Sequence, residues 1–66
     1  MLKKSFKIDN DIYNTSSINL SIDDFKELFQ LSFKDWVLEI EWDDENDIEN
    51  IFLEFMNYVL WIQNQS

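Results

Sequence analysis

Trp36-Val37-Leu38-Glu39-Ile40-Glu41-Trp42 is the stretch that decides the fold, because it alternates with period two and is rich in aromatic and branched residues. That spacing predicts a strand over 36–42. Trp36, Leu38, Ile40 and Trp42 share one face, expected on the core, and Val37, Glu39 and Glu41 share the other, expected in solvent. The strand runs into Asp43-Asp44-Glu45-Asn46-Asp47, which supplies turn residues and then carboxylates where a helix macrodipole favours negative charge. A helix over 45–63 follows, with Ile48, Ile51, Phe52, Phe55, Val59 and Ile62 as its apolar stripe. Beside that stripe lie Leu53, Met56 and Leu60. These three, together with Trp61 on a further face, are either buried by a second helix or form an oligomer interface.

Upstream of the deciding strand the pattern is weaker. Leu2, Lys4, Phe6 and Ile8 alternate, predicting a short strand over 3–8. Asp9-Asn10-Asp11 is a turn triplet after which Ile12-Tyr13 is able to pair back as a second strand, while Asn14 to Asn19 is polar enough for loop. Ser21 followed by Asp24 resembles a capping box, and Ile22, Phe25, Leu28 and Phe29 then recur at helical spacing, predicting a helix over 22–31. The expectation is an α+β fold. It is a small two-layer domain over 1–66, with two or three short strands packed against two helices and the C-terminal helix longest.

A chain of 66 residues buries a modest share of its surface on folding, so it needs a dense core. Hydrophobic residues at 45% and aromatics at 17% supply one, which separates this chain from disordered acidic tails. With no cysteine, neither a disulfide nor a thiolate site staples the fold. With no glycine or proline, Asn, Asp and Ser must make the turns and caps. No apolar run approaches the length of a membrane span, and no apolar stretch follows Lys3-Lys4, so the expected location is cytoplasmic. The N-x-S/T matches at Asn14, Asn19 and Asn64 then carry no meaning as glycosylation sites.

The absence of His and Cys removes the usual nucleophile activators, the commonest general base and the common zinc sets. The absence of Gly removes phosphate-cradling loops and dinucleotide fingerprints. An enzyme is therefore not expected, and no cofactor is implied. Asp43, Glu45, Asp47 and Glu54 stand at positions 1, 3, 5 and 12 of an EF-hand spacing. Position 6, however, is the β-branched Ile48, which resists the sharp turn that glycine makes there, so no metal site is expected.

The formal net charge is -9, and all basic residues are lysines at or before Lys34, whereas 35–54 carries carboxylates and no base. Direct binding of nucleic acid is electrostatically opposed. Glu39, Glu41, Asp43, Asp44, Glu45, Asp47 and Glu49 are expected to form an anionic row spaced somewhat like successive phosphates. The matching partner is a basic site on a host or cognate protein. The expected function is a small acidic protein-binding inhibitor of anti-defence, immunity or nucleic-acid-mimic type, of the kind phages and other mobile elements encode. The alternative is a homodimeric structural or regulatory module, or an antitoxin-like partner, using the apolar stripe of the last helix.

Overall fold

The computed structural model of the chain describes residues 2–65. Its elements run β1 (Leu2–Lys7), α1 (Thr15–Phe25), β2 (Gln30–Lys34), β3 (Val37–Trp42) and α2 (Glu45–Gln65), an α+β domain whose C-terminal helix is the longest. The three strands form one antiparallel sheet in the order β1-β3-β2, so β3, the strand read most directly from the sequence, is the central one. Both helices pack on one side of it. α2 lies over β3 and β1, and α1 lies beside α2 over β2.

Register fixes what each sheet face carries, because directly opposed residues in antiparallel strands project to the same side. Phe6↔Leu38↔Phe33 and Lys4↔Ile40↔Leu31 lie on the helix side. Lys7↔Val37↔Lys34, Ser5↔Glu39↔Ser32 and Lys3↔Glu41↔Gln30 lie on the open side. Leu38 and Ile40 are wholly buried with Ile18, Ile48, Phe55 and Val59, and the rings of Trp36 and Trp42 pack at the border of this core. The two faces therefore divide as the alternation of 36–42 predicts. The rings are linked at the core margin: Phe6 stacks on Phe52 at 4.0 Å between centroids, Phe25 meets Phe55 edge-on at 5.4 Å, and Phe29 meets Trp42 at 5.0 Å.

Several expectations for the first half of the chain are corrected. Ile12-Tyr13 is not a strand. The Asp9 carbonyl accepts the backbone N–H groups of Ile12 (3.3 Å) and Tyr13 (3.1 Å), and its carboxylate accepts that of Asp11 (2.8 Å), closing a turn. The polar run from Asn14 is not loop but the cap and first turns of α1. Asn14 has extended φ/ψ and its side-chain oxygen accepts the Ser17 N–H at 2.7 Å, which makes it the N-cap. Ser21 is accordingly no cap: it lies wholly buried inside α1, its hydroxyl donating to the Ser17 carbonyl at 2.8 Å. The helix expected over 22–31 starts seven residues early and ends at Phe25, whose carbonyl then accepts the N–H groups of Leu28 and Phe29.

That early end frees Gln30–Lys34 to form β2, which the helical reading had absorbed. Trp36 is likewise outside its strand. It and Asp35 form the two-residue turn of the β2–β3 hairpin, at φ 63° and 52°. Positive φ at both central residues is the turn geometry that matches strand twist, normally made by Asn-Gly or Asp-Gly. Here the aspartate fits that preference, and the tryptophan is held by an edge-on contact with Phe33 at 5.7 Å.

Candidate functional site: an acidic corner and an apolar groove

The carboxylates that are continuous in sequence are not continuous in space. Glu39 and Glu41 project from the open sheet face among three lysines. Lys3 pairs with Glu41 at 3.3 Å, and the Ser32 hydroxyl donates to Glu39 at 3.4 Å. Glu45 and Glu49 belong to the opposite layer, on the flank of α2 that faces β1. There the Lys4 ammonium lies 2.6 Å from Glu49 and 4.0 Å from Glu45, with the Phe6 ring 5.7 Å beneath it. The hydrogen bond to Glu49 raises the Lys4 pKa above its ordinary value, with the charges of Glu49 and Glu45 acting the same way against a smaller desolvation effect.

Asp43, Asp44 and Asp47 occupy the corner where β3 turns into α2 and are exposed there. Asp44 is the N-cap of α2: its carboxylate accepts the Asn46 N–H at 2.8 Å and its carbonyl accepts the Ile48 N–H at 3.1 Å. Glu45 and Asp47 sit in the first turn, where the helix dipole stabilises negative charge. Part of the acidic run thus serves folding. Among the described residues no lysine pairs with Asp43, Asp44 or Asp47. Because α2 begins at Glu45, the residues at EF-hand spacing wind onto a helix instead of around an ion, and no group of three or more Asp or Glu among the described residues is placed to hold a metal.

Charge is mixed at one end of the sheet, where Asp35 lies in the hairpin turn and Asp9 beside Lys7, and of one sign at the other. The row Lys7–Val37–Lys34 crosses its hairpin end, and neither of these lysines has an ion pair among the described residues. The unpaired carboxylates of the corner lie beyond Trp42 at the other end, roughly 17–20 Å away at about 3.3 Å per residue.

The residues expected at an oligomer interface separate too. Leu53 and Leu60 are 59% and 37% exposed, whereas Met56 is buried at 8% and belongs to the core. Trp61 is exposed but points away from them, stacked at 5.8 Å on Tyr58, which faces α1 through Phe25 and donates a hydrogen bond to Asp24. Leu53 and Leu60 instead border a groove of about 380 Å³ floored by Phe52 and Met56 and also lined by Lys7, Ile8, Asp9 and Tyr13. Sequence reasoning assigned none of Lys7, Asp9 and Tyr13. The alternation that buries Ile8 was the available signal, since it leaves Lys7 and Asp9 flanking it on the outside. On the hairpin side of the same residues lies an open cleft of about 600 Å³, bordered by Lys7, Asp9, Asn10, Asp35 and Trp36.

Comparison with known proteins gives no likeness from which to read a function: no family model, curated protein or solved structure matches the chain.

Proposed function

We propose that this chain is a small acidic protein-binding inhibitor that occupies a basic site on another protein, of immunity, anti-defence or nucleic-acid-mimic type. The contact surface is the β3–α2 corner, with Asp43, Asp44 and Asp47 as the recognising carboxylates. One observation carries the reading: the corner is anionic and among the described residues has no lysine partner, while the basic residues are paired elsewhere or placed at the far end of the sheet. A corner of one sign gives a cationic surface a direction from which to approach, and long-range steering favours fast, salt-sensitive association. The corner sits on a capped helix start and the end of the central strand, so the backbone that carries its carboxylates is held in position before contact, which lowers the ordering cost of binding.

The test leaves Asp44 intact, since it caps α2. The wild-type chain and the Asp43→Lys, Asp47→Lys variant are used as bait in host lysate at about 0.05 M and about 0.5 M salt, a range over which the Debye length falls severalfold. The expected result is a captured protein with a basic surface, released by salt and not retained by the variant, whose circular dichroism matches wild type. Capture that is unaffected by both salt and charge reversal refutes the proposal.

A further inference from the structure

We propose that the free edge of β2 pairs with β2 of a second copy, antiparallel across a two-fold axis at Ser32, so that two three-stranded sheets join in the order β1-β3-β2-β2-β3-β1. The inference goes beyond the function proposed for the acidic corner and does not rest on it.

The backbone shows which groups the edge offers. The Ile8 N–H donates to the Trp36 carbonyl at 2.8 Å, so by the antiparallel alternation Trp36, Leu38 and Ile40 bond toward β1, and Val37, Glu39 and Glu41 bond toward β2. Gln30, Ser32 and Lys34 therefore bond inward to β3, while the N–H and C=O groups of Leu31 and Phe33 point out of the sheet. Backbone groups in that position seek partners. A second β2 centred on Ser32 presents the same groups in reverse order, so each Leu31 exchanges its backbone bonds with the other copy's Phe33, and all 5 residues of the strand are paired. Side chains agree with this register. On the helix side Leu31 faces Phe33 twice, and both are only half-buried at the margin of the core. On the open side Ser32 faces Ser32 and Gln30 faces Lys34, so the apolar and polar faces both continue across the junction.

Charge favours a second copy over an unrelated strand. Lys34 is the only charged residue of β2, and it has no ion pair among the described residues. An antiparallel copy carries this lysine from the mixed hairpin end of its own sheet to the acidic end of the other, into the row Lys3–Glu41–Gln30. There it stands two strand spacings from Glu41, about 10 Å at the backbone, a gap that the two long side chains span. The two Glu39 residues lie three spacings apart, about 14 Å, which is beyond the Debye length at physiological salt. Glu27 and the other copy's Asp35 come together outside the paired segment, and Lys26 and the other copy's Lys34 accompany them at each end.

The two edges of the sheet differ in how they are guarded. β1 carries Lys3, Lys4 and Lys7 along its length, a common defence against strand addition. β2 has Lys34 alone, with no proline and a continuous register that leaves no bulge. Pairing β2 with β2 uses the unguarded edge and leaves the two lysine-bearing edges outside, so association closes at two copies. The same arrangement accounts for Leu28, which at 72% is the most exposed of the large hydrophobic residues. It stands just before β2, and an antiparallel mate brings the other copy's Asp35-Trp36 turn alongside it.

Sedimentation equilibrium of the intact chain, run from about 5 µM to about 0.5 mM at near-physiological salt, is expected to show a reversible monomer–dimer equilibrium. Ser32→Lys sets two ammonium groups against each other at the axis while leaving each beside its own Glu39, so it weakens the dimer about tenfold or more with unchanged circular dichroism. Opposed Ser32 residues form a pair without mutual backbone bonds, with Cα atoms about 4.5 Å apart and within disulfide range. In this cysteine-free chain Ser32→Cys therefore links two copies on mild oxidation, whereas Ser5→Cys, also exposed on the open face, does not. A monomer throughout the range overturns the inference. So does equal cross-linking at Ser5, or a dimer that Ser32→Lys leaves intact, which would assign association to another surface such as the groove beside α2.

Discussion

The placement of α1 makes opposite demands on two residues, Asn14 and Ser21. In the structure the Asn14 side chain satisfies the Ser17 N–H, so Asn14→Ala removes a helix cap and should cost about 1 kcal/mol. Ser21→Ala removes a buried hydroxyl whose acceptor, the Ser17 carbonyl, keeps its intrahelical bond. The lost hydrogen bond, at about 0.5–1.5 kcal/mol, is largely offset by the better helix propensity of alanine, about 0.5 kcal/mol, and by leaving no partner orphaned. Its net effect should fall between about 0 and 1 kcal/mol, at or below that of Asn14→Ala. Ser21→Leu forces a large side chain into a position with no exposed surface and should cost about 1–3 kcal/mol. Urea unfolding followed by tryptophan fluorescence measures all three, and with a slope near 1 kcal/mol/M for so small a chain, the Asn14→Ala midpoint should fall by about 1 M. A helix capped at Ser21 would reverse the order, with Ser21→Ala costly and Asn14→Ala silent. That result would refute the placement of α1 and with it the strand identity of Gln30–Lys34.

Two further outcomes are expected. The stacked rings of Phe6 and Phe52 should show a coupling of about 0.5–1.5 kcal/mol in a double-mutant cycle with leucine at each position, measured by urea unfolding, and simple additivity would remove that pair from the fold's supports. Lys4 and Tyr58 both have raised pKa values, from hydrogen bonds to Glu49 and Asp24 respectively, so each contributes stability that is complete below its unfolded-state pKa and lost as pH rises through the folded one. The urea midpoint should therefore decline above about pH 10, and Lys4→Met with Tyr58→Phe should flatten that decline.

The second half of the chain was legible because local and tertiary demands agree there. The face assignment of Leu38 through Trp42 and the stripe of Ile48, Ile51, Phe55 and Val59 follow from periods of 2 and 3.6 with little competition, and Asp44 begins the helix as its chemistry suggests. The first half was misread because two periods overlap. Ile22, Phe25, Leu28 and Phe29 fit a helix, but Phe29, Leu31 and Phe33 also alternate, and the second pattern wins beyond Phe25 because β2 completes the sheet beside β3. Tertiary packing overrides local spacing in such cases. Ser17 and Ser21 misled for a related reason: small polar residues advertise caps and turns, yet here they form the buried side of α1, with the Ser21 hydroxyl bonded to the helix backbone. The hairpin turn was hidden by its chemistry, since Asp35-Trp36 lacks the glycine that usually marks positive φ. For the candidate site, sequence order predicted a single anionic row. A strand projecting its glutamates to one sheet face, followed by a helix packed on the other, cannot keep them in line.

That division clarifies which acidic residues are free to act. Asp44 is committed to capping α2, Glu45 and Glu49 to Lys4, and Glu41 to Lys3, so their charge is partly spent inside the molecule. Among the described residues Asp43 and Asp47 have no such commitment. Under the proposed function a cationic partner contacts the corner and not the strand, so reversing Glu39 and Glu41 should lower its capture less than reversing those two aspartates.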